Sequence, residues 1–266
     1  MAVNTVKIGA LEFLAADNIG AEHCFTTRLG GVSPGFLSSL NLGMHRGDAP
    51  ENVEENFRIL ANALHFDPQK LVLTRQTHSD IVRAVTAADA MGFDNHFYPE
   101  SDALITNDPG TALAVFTADC TPVLLHDSVT GAVGAAHAGW RGTAAKIAAK
   151  TALAMMQAYG CKPENICAAI GPNIGPCCFE TDADVKDAML EAFGEAAASC
   201  IRPVGHKFYV NLKALNALQL KAVGVTQIET SAACTACQPD RFWSHRVTGG
   251  QRGSQGAIIV CKEATL

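Results

Sequence analysis

The run Thr111-Ala-Leu-Ala-Val-Phe-Thr-Ala118 constrains the fold of this chain more than any other stretch. It follows an Asn107-Asp-Pro-Gly110 turn and stops at Asp119-Cys120-Thr-Pro122. That gives it the length of a strand, not of a helix. Nearly every residue is apolar, so both faces of the strand need covering. Such a strand lies inside a layered protein. The rest of the 266 residues can supply the layers, since 48% are hydrophobic and 17% charged. A folded chain of this size hides about three quarters of its unfolded surface, and the composition is too apolar for a disordered state.

Other elements follow from spacing. Glu22 to Arg28 reads as a strand entering the turn-rich loop Leu29-Gly-Gly-Val-Ser-Pro-Gly35. A helix is expected over 48–64, with Asp48 as cap, Pro50 in the first turn and Val53, Phe57, Leu60 and Leu64 at helical spacing. Short strands at 71–74 and 81–85 flank Arg75-Gln-Thr-His78-Ser-Asp80. Further strands are expected at 102–106, 123–127, 132–140, 166–171 and 257–261. Thr143 is expected to cap a helix running to about Tyr159 and closed by Gly160, burying Ile147, Thr151, Leu153, Ala154 and Met155. Helices follow at 182–193 and 211–223. No internal repeat and no low-complexity linker interrupts the chain, so one domain over 1–266 is expected. Hairpins in the middle and helices late point to an α+β fold, not to a doubly wound parallel sheet.

The net charge of −6 argues against a nucleic-acid surface. No run approaches the roughly 18 apolar residues of a membrane span. The start, Met1-Ala-Val-Asn-Thr-Val-Lys-Ile, lacks the basic and apolar regions of a signal peptide. A cytoplasmic location is therefore expected. Thiols stay reduced there, so most of the ten cysteines read as small core residues.

Three residues invite a different reading. His78 and Cys120 each follow a strand, and His137 lies in a Gly/Ala-rich one. Their neighbours are small or polar: Gln76-Thr-His-Ser-Asp80, Ala118-Asp-Cys-Thr-Pro122 and Ala136-His-Ala-Gly139. Two imidazoles and a thiolate make a three-ligand zinc site with one open position, the catalytic pattern. A lone cysteine or histidine is more often a packed core residue, and the spacing 78–120–137 is no local motif.

Several sharper motifs are absent: a Gly-x-Ser-x-Gly elbow, a Walker loop, His-Glu-x-x-His and the zinc-deaminase signature. Gly249-Gly-Gln-Arg-Gly-Ser-Gln-Gly256 precedes a strand without opening a helix, so it reads as a tight loop, ligand-facing or structural, and not as a dinucleotide fingerprint. Cys234-Thr-Ala-Cys237 is a single Cys-x-x-Cys without a second pair, a weak metal or redox signal, and Cys177-Cys178 reads as structural.

Four blocks together resemble the laccase-domain family: Phe25-Thr-Thr-Arg-Leu-Gly-Gly-Val-Ser33, Thr117-Ala-Asp-Cys-Thr-Pro-Val-Leu124, Ala136-His-Ala-Gly-Trp-Arg-Gly-Thr143 and Ile170-Gly-Pro-Asn-Ile-Gly-Pro-Cys-Cys-Phe-Glu180. Members have been called multicopper polyphenol oxidases, purine nucleoside phosphorylases and peptidoglycan editing factors. The resemblance runs from about His23 to Cys261. It implies a mixed α/β sandwich related to cysteine hydrolases, often monomeric, with His78, Cys120 and His137 as zinc ligands. It also implies phosphorolysis of adenosine, inosine and 5′-methylthioadenosine, and hydrolytic deamination of adenosine. Many relatives place Arg directly after the Asn of the first helix, whereas here Asn56 is followed by Phe57 and then Arg58. Arg58 is thus an imperfect substitute.

The chemistry sets expectations for further residues. Deamination needs a proton shuttle beside a metal-bound hydroxide, and Asp119 and Asp80 are the candidates. Phosphorolysis needs cations for phosphate, and Arg28, Arg75 and Arg141 lie next to the motif segments. Multicopper chemistry needs paired His-x-His segments, and none of the nine histidines lies two residues from another. Copper is expected only as an in vitro occupant of the same pocket. Remaining alternatives are a hydrolase editing muramoyl peptides, with Cys120 and His137 as a metal-free dyad, and a non-catalytic binding module using the Gly-rich C-terminal loop.

Overall fold

The computed structural model describes residues 3–93 and 98–262. It opens with a hairpin that the sequence reading did not foresee: β1 (Val3–Ile8) pairs antiparallel with β2 (Leu11–Ala16). After β3 (His23–Thr26) comes α1 (Pro50–Leu64). Val53, Phe57, Leu60 and Leu64 are buried on one face of α1, as their spacing requires. Its N-cap is Ala49, not the expected Asp48. The Asp48 carboxylate accepts instead from the Ala49 N–H and the Asn52 side chain.

The middle of the chain supplies β4 (Leu71–Val72), β5 (Val82–Ala84), β6 (Ala103–Thr106), β7 (Ala112–Thr117), β8 (Thr121–Asp127) and β9 (Val133–Ala138). The helix expected from Thr143 to Tyr159 is broken into α2 (Trp140–Ala144) and α3 (Ile147–Tyr159). Lys146 divides them in a left-handed conformation, φ 63°, against the helical preference of Ala-Ala-Lys. Leu153, expected inside, is half exposed on α3. The rest is β10 (Ile166–Ile170), β11 (Glu180–Thr181), α4 (Ala183–Phe193), β12 (Ile201–Val204), β13 (Lys207–Val210), α5 (Leu212–Ala222), β14 (Gln227–Thr230), α6 (His245–Thr248) and β15 (Gln255–Val260).

The strands form two six-stranded sheets and one small one. The first has the order β1-β2-β3-β15-β7-β4, the second β14-β10-β8-β9-β6-β5, and the third β11-β13-β12. Parallel and antiparallel pairs occur in both large sheets, so the fold is α+β, as expected from the order of elements. Alternation along β7 explains the packing. Leu113 and Val115 meet Leu124, Val133 and Ala135 of the second sheet in a core between the two sheets. Ala112 and Ala114 face the other way, onto Phe57, Leu60 and Leu64 of α1. The second sheet is covered outside by α3 and α5 through Ile147, Met155 and Leu220. The all-apolar strand is thus buried on both faces by a helix–sheet–sheet–helix stack. Truncating Leu113 to Ala in such a core costs about 2–5 kcal/mol.

Candidate active site and metal centre

His78, Cys120 and His137 converge where strand ends of the second sheet meet a loop. His137 lies on β9, Cys120 in the link between β7 and β8, and His78 between β4 and β5. The register places Pro122 opposite His137, so Cys120 emerges beside the imidazole. Donor atoms of the three residues lie within 4.8 Å of one another. Cys120 Sγ is 3.8 Å from His78 Nε2, and the two imidazoles meet edge to face with centroids 4.9 Å apart. Tetrahedral zinc, bonded at about 2.3 Å to sulfur and 2.0–2.1 Å to nitrogen, sets sulfur and nitrogen about 3.5 Å apart. The donor set and spacing fit such an ion. Gly139 makes the approach possible, since a Cβ there would fall 2.7 Å from the His78 ring and 3.3 Å from Cys120 Sγ.

A carboxylate not singled out from the sequence holds this centre. Asp102, just before β6, is fully buried. Its Oδ1 lies 2.7 Å from His137 Nδ1, which directs the other ring nitrogen toward Cys120. The same carboxylate accepts the backbone N–H groups of Thr77, His78 and Ser79 at 3.1, 3.1 and 2.7 Å and the Ser79 hydroxyl at 2.7 Å. His78 adopts a left-handed φ of 60°, which costs a non-glycine residue on the order of 1–3 kcal/mol. The Asp102 clamp holds the loop in that shape. One side chain therefore orients both imidazoles, the role that outer-shell carboxylates play at metal sites.

The electrostatics agree. Burial pushes the Cys120 thiol up, but the facing His137 and His78 outweigh it and bring it down to about 6. Burial pulls His137 down, but Cys120 and Asp102 outweigh it and hold the imidazolium up to about 9. Burial raises the Asp102 carboxyl, while hydrogen bonds from His137 and Ser79 bring it down to about 2. A thiolate stands ready as ligand or nucleophile at neutral pH.

The three residues face a cavity of about 340 Å³, within the range of small-molecule sites. Phe116 and Tyr98 give it aromatic surface, and Arg46, Arg75 and Arg252 give it cations. Among the described residues no carboxylate lines it. Arg252 comes from the Gly-rich loop before β15. Its Nη1 donates to Gly253 O and Ser254 Oγ, while its Nε is buried without a hydrogen-bond partner among the described residues. Burial, with the nearby Arg46 cation, pulls this guanidinium down to about 10. Two crowded arginines and one unmatched N–H mark a place for an anion.

The other expected residues fall elsewhere. Asp119 adjoins Cys120, but its carboxylate accepts from Thr235 Oγ1, Ser244 Oγ and the Arg246 N–H at 2.6, 3.0 and 2.7 Å. It anchors the Cys120 link, at a left-handed φ of 84°, and does not line the cavity. Asp80 is a surface partner of Lys150. Arg28 stacks 3.8 Å over Trp243 and donates to the carbonyls of Ser38 and Pro239, so it braces loops. Arg58 is exposed on α1 and paired with Glu54 and Glu55. Arg141 lies exposed over the Trp140 ring. Of the four arginines expected to bind phosphate, Arg75 alone lines the cavity, and it is paired with Glu100.

Comparison with known proteins agrees with the architecture. A family model described as a multi-copper polyphenol oxidoreductase laccase matches residues 22–262, and the chain belongs to this family, the laccase-domain family. A Shigella flexneri protein named purine nucleoside phosphorylase YfiH is 39% identical over 227 residues, covering 85% of this chain and 88% of that protein. A Geobacillus stearothermophilus protein named purine nucleoside phosphorylase YlmD is 37% identical over 250 residues, covering 92% and 91%. The crystal structure of YlmD from G. stearothermophilus superposes with a TM-score of 0.92 at 34% identity, covering 99% of this chain and all of that one. That of a Bacillus licheniformis hypothetical protein, YfiH, gives 0.88 at 33% identity, covering 96% and 98%. No helix among the described residues is long and apolar enough to cross a membrane.

Proposed function

We propose that this chain is a zinc-dependent purine nucleoside phosphorylase, acting on adenosine, inosine and 5′-methylthioadenosine, with His78, Cys120 and His137 as metal ligands. The observation that carries this reading is the buried Nε of Arg252, unpartnered among the described residues, beside a three-ligand centre that fits zinc. Relatives named purine nucleoside phosphorylases support the substrate class.

In phosphorolysis an oxygen of hydrogen phosphate forms a bond to the ribose C1′, the C1′–N9 bond breaks, and the proton given up by the phosphate passes to the departing purine. His78, Cys120 and His137 would hold a zinc ion, which would supply a Lewis acid for developing negative charge. Arg252 and Arg46 hold the phosphate through charge-assisted hydrogen bonds and keep its attacking oxygen oriented. Phe116 and Tyr98 offer apolar faces to the planar base. Asp102 keeps His137 in one tautomer and fixes the loop of His78, so the floor of the site does not reorganise during the reaction.

Deamination is less well served, because hydroxide attack at C6 requires a proton shuttle and Asp119 and Asp80 do not reach the cavity. Multicopper oxidation is disfavoured for a related reason. The groups that converge among the described residues are one His-Cys-His set and one set of four cysteines, and a copper cluster needs several imidazoles.

Incubation with adenosine, with and without phosphate, followed by chromatography, tests the proposal. Adenine and ribose 1-phosphate, formed only with phosphate, are expected. Inosine in place of adenine assigns deamination. Inertness toward all purine nucleosides, with release of serine or alanine from a muramoyl peptide, overturns the reading in favour of cell-wall editing.

A further inference from the structure

A second group of ligand-type side chains lies outside the cavity. Cys177 and Cys178 sit in the loop between β10 and β11, and Cys234 and Cys237 between β14 and α6. A bridge between Asn173 and Cys234 joins the two segments, with the Thr235 N–H donating to Asn173 O at 3.0 Å. All four sulfurs lie within 4.8 Å of one another. Cys237 Sγ is 3.5 Å from Cys177 Sγ and 3.3 Å from Cys178 Sγ. We propose that these four cysteines form a closed, structural tetrathiolate site for Zn²⁺, separate from the His-Cys-His centre.

Geometry favours a metal over a disulfide. A disulfide joins two sulfurs at about 2.05 Å, and all four cysteines are free thiols. Here Cys237 is near two partners at once, and all four sulfurs lie within 4.8 Å of one another. Tetrahedral Cys₄ zinc, with bonds of about 2.3 Å, spaces its sulfurs about 3.8 Å apart, close to the separations seen. The Cys-x-x-Cys pair, weak by itself in the sequence, finds its second pair in the adjacent Cys177 and Cys178.

The surroundings suit a thiolate cluster. The Gly175 N–H donates to Cys234 Sγ at 3.1 Å, a contact that steadies a ligating sulfur. A Cβ at position 175 would lie 3.2 Å from Cys177 Sγ and 3.2 Å from Cys234 Cβ, so glycine lets the loop close on the cluster. Lys213 is buried, and its Nζ donates to Ser231 O and Ala233 O at 2.7 and 2.6 Å. It shares a surface cavity with Cys177 and Cys234, placing a cation beside a site whose metal complex is anionic. On binding, each thiol gives its proton to water as its sulfur–zinc bond forms, with no change of oxidation state.

The site is linked to the His-Cys-His centre through Asp119. Thr235, between the paired cysteines, donates to the Asp119 carboxylate, and the Ile174 N–H donates to Asp119 O at 2.9 Å. The Arg246 side chain donates to Cys178 O and Glu180 O, while its N–H donates to Asp119. A metal that fixes these two loops therefore fixes the residue preceding Cys120.

The test uses the full-length chain, purified reduced and equilibrated with zinc alone. The His78→Ala variant, lacking a ligand of the first centre, is expected to retain one equivalent of zinc with an all-sulfur X-ray absorption signature. Replacing that zinc with cobalt should give the ligand-field bands of tetrahedral cobalt thiolate. Cys237→Ser is expected to lose this equivalent and to unfold at a lower temperature. If Cys237→Ser does not fold, the all-sulfur signature in wild type and His78→Ala still decides. A mass two hydrogens lower in chain prepared without reductant, with Cys237 linked to Cys177 or Cys178, or alkylation of Cys177, Cys178, Cys234 and Cys237 in the presence of zinc, overturns the proposal.

Discussion

The floor of the cavity and its arginine wall are built in opposite ways. The floor rests on strand registers. β8 and β9 set Cys120 against His137, and the buried Asp102 ties His137 to the His78 loop. The wall rests on two loops. Arg46 and Arg252 are far apart in sequence, and the buried Asn41 links their loops by accepting the N–H groups of Gly43 and Ser254 at 2.8 and 3.0 Å. Strand registers hold positions tightly, whereas loops vary and adapt. The contrast implies a division of labour, with a preorganised floor for reactive chemistry and a more adjustable wall for the anion.

Three substitutions separate the two halves, and a fourth on α1 is a control. Cys120→Ala should abolish binding of the proposed zinc and lower turnover by on the order of 10³-fold or more, with circular dichroism unchanged. Arg252→Ala should leave metal content intact and raise the KM for phosphate about a hundredfold, from the loss of roughly 2–3 kcal/mol of charge-assisted hydrogen bonding. Equal loss of metal in both variants would break the proposed division. Asp102→Asn should weaken metal binding and activity by about 10–100-fold. Asp102 also gives stability a pH signature. Its carboxyl is held at about 2 against an ordinary 3.8, so its contribution is present above about pH 3.8 and lost as pH falls through 2. Acid unfolding of Asp102→Asn, followed by fluorescence, should lack that component. Arg58→Ala should change neither KM nor stability beyond about 0.5 kcal/mol, since its ion pairs are exposed on α1.

The same division explains what could be read from the sequence. The burial of β7 on both faces was legible from its unbroken apolar run, and α1 from its spacing. His78, Cys120 and His137 stood out because small neighbours flank them near strand ends. Asp102 did not, because an acidic residue before an apolar strand looks like an ordinary turn residue, and only the tertiary fold turns it toward His137. Arg252 was hidden in a Gly-rich loop with two readings, and the anion-binding role proposed for it depends on Arg46, some two hundred positions earlier. Proximity in sequence misled for Asp119, Arg28 and Arg141, which adjoin motif residues yet brace the backbone or face solvent. The break at Lys146 had no local signal, since its neighbours are good helix formers.

Zinc-edge anomalous diffraction from crystals equilibrated with zinc tests the central claim most directly. A peak is expected about 2.3 Å from Cys120 Sγ and about 2.0–2.1 Å from His78 Nε2 and His137 Nε2, opening onto the cavity that Arg252 lines. A map with no peak within bonding distance of those three atoms would contradict it.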